Sequence, residues 1–248
     1  VRSLVFDSRS INLLQMEHPL SVWYKPVRFV VSAGLLGVII AGFLVPIPRI
    51  NILEHTARNL YFHVPMWFTM MVATGLSAWH AYRYLRTGTL VHDIRSHAAA
   101  RVGALFGLLG LITGIWWSRY TWYQGTGVWW SFDPRQTFAL IQLMIYAAYF
   151  ILRSGMEDVS KRGRIAAVYN LFAFACVPFL LFILPRQLDS LHPGADGNPA
   201  FSDITHPVMR LVFYPAVLLF IGLFWILYTQ RTRLGILRMR LSLDPDGN

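Results

Sequence analysis

The chain has 248 residues, 55% of them hydrophobic and only 14% charged, with a formal net charge of +10 and a mean hydropathy of +0.46. An ordinary soluble domain is nearer a quarter charged, so the composition excludes that class and fits an integral membrane protein. The lone cysteine, Cys176, lies in an apolar run, which excludes a disulfide framework, a CxxC redox pair and a thiolate metal cluster. It reads as a small buried hydrophobe.

Six runs contain no Asp, Glu, Lys or Arg: 29–48, 59–82, 102–118, 136–152, 165–185 and 211–230. The shortest is 17 residues long, and about 17–25 residues of helix cross the hydrocarbon core. Helix is the form in which a single segment pairs its own backbone in lipid. The sequence therefore predicts an all-α, polytopic protein, a single membrane domain over 1–248 with six transmembrane helices and both termini on one side. Sixteen of the 22 Lys and Arg residues fall in the two tails and the second and fourth loops; six fall on the other face. Short-loop positive charge stays inside, so both termini are expected to be cytoplasmic. The same distribution explains the net charge without nucleic acid as a partner.

In chain order, the tail 1–28 has no short apolar core followed by a small-residue cleavage site, so the first span is expected to be an uncleaved anchor. VPIPRI at 45–50 closes that span with two prolines. RTGTLVHDIRSHAAAR at 86–101 is expected to be a brief cytoplasmic connector. WWSRYTWYQGTGVWWSFDPRQT at 116–137 forms an outer loop holding five of the nine tryptophans: Trp116, Trp117, Trp122, Trp129 and Trp130. Asp133 and Pro134 fit an N-cap and a first helical position. The outer loop 186–207, rich in Pro, Gly and Asp, is long for a bundle connection, and long loops are often functional. No GxxxxGK[ST] phosphate loop is present, so the chain is not itself an ATPase.

The aromatic loop at the outer edge of a membrane suits a flat, apolar, partly charged ligand such as heme. The same rings fit an interfacial belt at headgroup depth. Of eight histidines, His18, His80, His92 and His97 fall toward the cytoplasmic face, and His55, His63, His192 and His206 toward the Trp-bearing face. Imidazole is a common heme-iron ligand, and two outer histidines from different loops could sandwich a porphyrin. His80 lies 17 residues from His63, roughly 25 Å along a helix, so those two cannot share an iron. The other spans offer no histidine to match His80, which counts against a membrane-embedded b-type cytochrome. Arg119 and Arg135 are candidates to pair with heme propionates.

Three stretches together resemble the heme exporter protein C family, heme-handling membrane proteins of cytochrome c maturation. NLYFHVPMWF (59–68) is similar to its His-Val-Pro segment, WYQGTGVWWSFDPRQT (122–137) to its tryptophan-rich WWD signature, and DSLHPG (189–194) to its second histidine loop. The resemblance implies axial ligation of heme b (iron protoporphyrin IX) by His63 and His192. It implies a heme platform of Trp122, Trp129, Trp130 and Asp133, and no catalytic residues. It further implies a multi-pass protein of the bacterial inner membrane, in contact with membrane lipid, with its site facing the periplasm. Heme would pass to a periplasmic heme chaperone, with a small single-span membrane partner and ABC transporter subunits alongside. One departure is Phe132, where the family signature often has Trp directly before the Asp; Phe keeps the ring face and loses the indole N–H. A heme-lyase-type relative attaching heme directly to apocytochrome c is a second reading, and a small-solute permease a third. Short loops disfavour the former, and span interiors nearly free of ionisable groups disfavour the latter.

Overall fold

A computed structural model describes residues 21–48, 53–121, 127–192 and 206–243. Among them the chain is all helical: α1 Ser21–Leu44, α2 Leu60–Thr87, α3 Leu90–Thr121, α4 Pro134–Ser154, α5 Val159–Pro178 and α6 Pro207–Leu243. A 3-10 turn, Glu54–Asn59, leads into α2. Beyond α5 the helix widens into a π turn, Phe179–Ile183, and tightens into a 3-10 turn, Leu184–Gln187. Trp122, the tail 1–20 and most of the outer loop after His192 lie outside the described residues.

Five helices are long and apolar enough to cross a membrane: α1, α3, α4, α6 and the continuous α5 stretch Val159–Gln187. Their outward faces are apolar. Ile151, Leu211 and Leu218 are 72%, 74% and 70% exposed, a pattern that water would not support over so much surface. The protein is a multi-pass membrane protein. Helix α2 has 28 residues, about 42 Å at 1.5 Å per residue. It is less apolar because it is central, packing on α3, α5 and α6, and its Thr69, Thr74, Ser77 and His80 are buried among them.

The helices run past the uncharged runs at most ends, though α1 stops at Leu44, four residues short. Long basic side chains keep their heads in water while the backbone stays helical. The segment 86–101 is where sequence and structure differ most. It was expected to be a connector, yet helix α3 begins at Leu90 and only Gly88 and Thr89 join α2 to α3. Gly88 takes φ +69°, and its amide returns to the Tyr84 carbonyl. That left-handed C-cap suits glycine.

The early start of α3 buries polar groups at the end of the bundle that carries Gly88. Arg153 of α4 grips Asp93 of α3 through both nitrogens, at 2.7 and 2.5 Å. Asn170 of α5 donates to Ser77 and Ser96 at 2.7 and 2.9 Å, while those two serines bond each other's carbonyls. His80 does have a histidine neighbour, contrary to the sequence-based expectation. Its Nδ1 lies 3.1 Å from Nδ1 of His92, and its Nε2 lies 3.1 Å from the Tyr228 hydroxyl. The neighbour exists because His92 lies in the first turn of α3, where a loop is expected from the sequence.

Helix α2 lies close on α3 because α3 shows it Gly103, Gly107, Gly110 and Gly114, spaced 4, 3 and 4 apart. A Cβ at Gly103 would sit 3.0 Å from that of Ala73. Small residues let membrane helices approach this closely. At the end of the bundle away from Gly88, Arg58 donates to the carbonyls of Gly42 and Val45, both at 2.8 Å, and so satisfies the exposed last turn of α1. Asp158 caps α5 through the Lys161 amide at 2.8 Å, which holds its carboxyl below the usual carboxylate range.

Asp93 and Arg153 form a buried ion pair that is costly to halve. Replacing Arg153 by Met is expected to cost about 3–5 kcal/mol, because Asp93 is left charged and unpaired. The double change Asp93→Leu, Arg153→Met should cost clearly less than the single one. Thermal unfolding of wild type, Asp93→Leu, Arg153→Met and the double variant in one detergent checks this, and strict additivity would refute it.

Candidate functional site

A cleft opens at the end of the bundle away from Gly88, between the start of α2, the end of α3, the start of α4 and the turns that follow α5. It is lined by His63, Trp67, Trp117, Asp133, Arg135, Arg186 and His192, with Val64, Phe68, Leu111, Leu181 and Phe182 supplying apolar wall. The cleft is partly open, with a cavity volume of about 160 Å³.

His63 is fixed by its backbone and by its ring. It sits in the first turn of α2 and is 6% exposed. Its Nδ1 lies 3.0 Å from the Gly110 carbonyl and 3.1 Å from Thr113 Oγ1. The Thr113 hydroxyl already donates to the carbonyls of Leu109 and Gly110. Both neighbours of Nδ1 are therefore acceptors, so the ring donates from Nδ1 and leaves Nε2 as the basic nitrogen. Trp117 and Trp67 stand edge-on to the ring, with centroids at 5.7 and 6.4 Å. Trp117 is held by its Nε1–H on Thr56 Oγ1 at 3.0 Å. Gly114 leaves the space this arrangement needs: a Cβ there would lie 2.8 Å from His63 Cε1. Gly110 does the same for Trp67, where a Cβ would lie 2.9 Å from the indole.

His192 is half-buried, in the segment that follows the π turn. Its ring centre is 6.4 Å from that of His63, and the planes are inclined by 40°. Pro185 has no N–H to give to the carbonyl four residues back, and the wide turn before it carries Leu181 and Phe182 onto the cleft wall.

Asp133 caps α4, with Oδ1 accepting from the Arg135 amide at 2.9 Å. Its Oδ2 accepts from Ser190 Oγ at 2.8 Å and from the Leu191 amide at 3.2 Å. Ser190 Oγ in turn accepts from the His192 amide at 3.1 Å. Phe132, just before it, is 78% exposed at φ +57°, a strained backbone for a bulky side chain.

The residues singled out in the sequence divide by position. His63, His192, Asp133 and Arg135 line the cleft. Trp129 and Trp130 stand outside its lining. Trp129 meets Trp116 edge-on at 6.4 Å and lies under the Arg119 guanidinium at 5.5 Å, and Trp130 meets Phe132 at 6.3 Å. Among the described residues, the indoles that line the cleft are Trp67 and Trp117. Trp67 carried a signal, since it falls one helical turn from His63 on the same face. Arg186 and Gln136 also line the cleft and were not singled out in the sequence. Gln136 Nε2 donates to Ser118 Oγ at 2.7 Å, whereas its Oε1 and the Ser131 Oγ are buried with no partner among the described residues. Buried polar atoms of that kind call for a polar group or water in the cleft.

Comparison with known proteins agrees with the motifs. A family model described as heme exporter protein C matches residues 9–244. The chain is similar to a protein named heme exporter protein C from Paracoccus denitrificans, 28% identical over 245 residues, covering 90% of this chain and 96% of that one. The protein of that name from Bradyrhizobium diazoefficiens is 33% identical over 133 residues, 51% of this chain and 47% of its own. The one from Escherichia coli K12 is 28% identical over 153 residues, 62% of this chain and 59% of its own. With a match that runs through nearly the whole chain, this protein belongs to the heme exporter protein C family.

Proposed function

We propose that this chain holds heme at the outer membrane face, between His63 and His192, and gives it up to a periplasmic heme chaperone during c-type cytochrome maturation. The observation that carries the reading is the spacing of two imidazoles across a cleft of the right character. Two imidazoles on opposite sides of one metal, each bonded at about 2.0–2.1 Å, have ring centres roughly 6.3 Å apart. His63 and His192 stand at 6.4 Å. Nδ1 of His63 is spent on Gly110, the usual way a protein orients a ligating histidine.

The rest of the cleft suits the same cargo. Its walls are apolar, as a porphyrin face requires. Trp67 and Trp117 supply aromatic surface beside His63. Arg135 and Arg186 line it as cations for two propionates. Arg119 lies over Trp129 instead, which makes it the weaker candidate. The partnerless oxygens of Ser131 and Gln136 offer further polar contacts. Iron held by two nitrogen ligands is a carrier state, and no residue here is assigned a catalytic step.

For the orientation, the basic residues supply the argument. Arg153 is buried against Asp93, and setting it aside still leaves fifteen basic residues against six across the two faces. Six spans with both termini in the cytoplasm then put the cleft on the periplasmic side of the inner membrane. Helix α2, central and less apolar than the others, is the sixth span. The small single-span protein and the ABC transporter subunits implied by the family resemblance complete the assembly.

Hemin added to the purified full chain is expected to give a Soret band and a pyridine hemochrome of b type. The double variant His63→Ala, His192→Ala should lose the band; a spectrum unchanged by that substitution would defeat the ligand assignment. Arg135→Ala removes one charge-assisted contact of about 1.5–3 kcal/mol. It should weaken hemin binding roughly ten- to hundredfold. Titration at low and at high salt checks it, and an affinity unaltered at both would remove Arg135 from the propionate site.

A further inference from the structure

We propose that Asp133 is the positioning residue for His192, resting on the reading above that His192 is a ligand. The carboxylate divides its work between its two oxygens. Oδ1 takes the Arg135 amide and caps α4. Oδ2 takes the Ser190 hydroxyl at 2.8 Å and the Leu191 amide at 3.2 Å. Ser190 Oγ passes the connection on, accepting the His192 amide at 3.1 Å. A carboxylate accepts several hydrogen bonds at once, so one side chain fixes the imidazole-bearing segment to a rigid helix start 57 residues earlier in the chain. Capping alone explains Oδ1 and leaves Oδ2 unexplained.

A second observation points the same way. Phe132 sits at φ +57° with its ring in the open. Nothing about an exposed phenyl ring favours that backbone. Such strain persists where the surroundings over-determine it, and Asp133, tied at both oxygens, is the adjacent constraint. The acid of the aromatic loop thus acts on the iron site through the second histidine and contributes no face to a ring platform.

The two halves of the site consequently differ in what holds them. His63 stays in place by helix packing, and His192 by this tether. Loss of the tether should free one axial position and leave the other bound.

The test uses the full chain in detergent, with hemin as the probe, and compares wild type with Asp133→Ala, Ser190→Ala and Asp158→Ala. Asp158 is the control, since it also caps a helix, through the Lys161 amide, but lies at the inner end away from the cleft. Wild type is expected to be six-coordinate and low-spin. Asp133→Ala should become five-coordinate and high-spin through His63, bind hemin about tenfold more weakly, and return to low-spin when imidazole is added. Ser190→Ala, which leaves the cap intact, should move the same way to a smaller extent. Without hemin, amide exchange at Leu191 and His192 should quicken about tenfold in Asp133→Ala and stay unchanged in Asp158→Ala. A six-coordinate Asp133→Ala with wild-type exchange overturns this role and leaves the ligand reading standing. So does an Asp158→Ala that reproduces the Asp133→Ala spectrum. A wild type that never becomes six-coordinate overturns both.

Discussion

The hydrogen bond from His63 Nδ1 to the Gly110 carbonyl condenses what this bundle is built to achieve. A helical carbonyl in mid-helix is normally shielded by the side chains around it. Gly110 has none, and Gly114, a turn later, has none either, so the imidazole can lie directly on the α3 backbone. Either Cβ would intrude, one on Trp67 at 2.9 Å and one on His63 at 2.8 Å. The same glycine face, continued through Gly107 and Gly103, sets the separation of the two helices along their length. Site geometry and helix packing are therefore one constraint: the distance that lets α2 and α3 pack is the distance that orients the ring.

The end of the bundle away from the cleft carries the opposite chemistry. There the helices meet through Asp93 and Arg153, through Ser77, Ser96 and Asn170, and through His80, His92 and Tyr228. Apolar side chains gain little from facing each other when lipid is the alternative. Buried hydrogen bonds and small residues specify which helix faces which. Polar pairing at one end and a glycine face along the length hold α2 on α3, and the cleft lies beside that packed pair, closed by the start of α4 and the turns after α5.

Much of the fold was legible because charge is costly in hydrocarbon: each uncharged run falls mostly within one helix or its continuing turns. Helix ends were less legible for the same reason. Asp93 and Arg95 read as loop residues, yet Asp93 lies in α3, neutralised by an arginine 60 positions away that no local pattern announces. His63 and His192, joined only by resemblance in the sequence, line one cleft. The aromatic wall was harder to see. Five tryptophans crowd 116–130 and draw the eye, but a loop's rings go where its backbone turns, and Trp129 and Trp130 turn outward. Trp67 and Trp117 sit on helices with fixed faces, and periodicity relative to His63 and to the glycine stripe was the usable signal. The Oδ2 bonds of Asp133 span 57 and 58 residues and leave no trace in either segment alone.

A carrier must hold its cargo and also release it, and the unequal support of the two histidines fits that need. His63 belongs to the packed core, with an indole on either side and its Nδ1 committed, so it cannot withdraw without disturbing α2 against α3. His192 belongs to a short segment flanked by exposed Leu188 and Leu191, and the described contacts tie that segment to α4 through a few hydrogen bonds on one carboxylate. Hydrogen bonds of this kind are worth about 1–3 kcal/mol each, far less than the packing that holds a helix. On the proposed reading, one axial bond can open while the other keeps the iron oriented, and the side that opens is the side that faces out of the bundle. A site with two core histidines would bind as well and release poorly; one with two loop histidines would release easily and orient nothing.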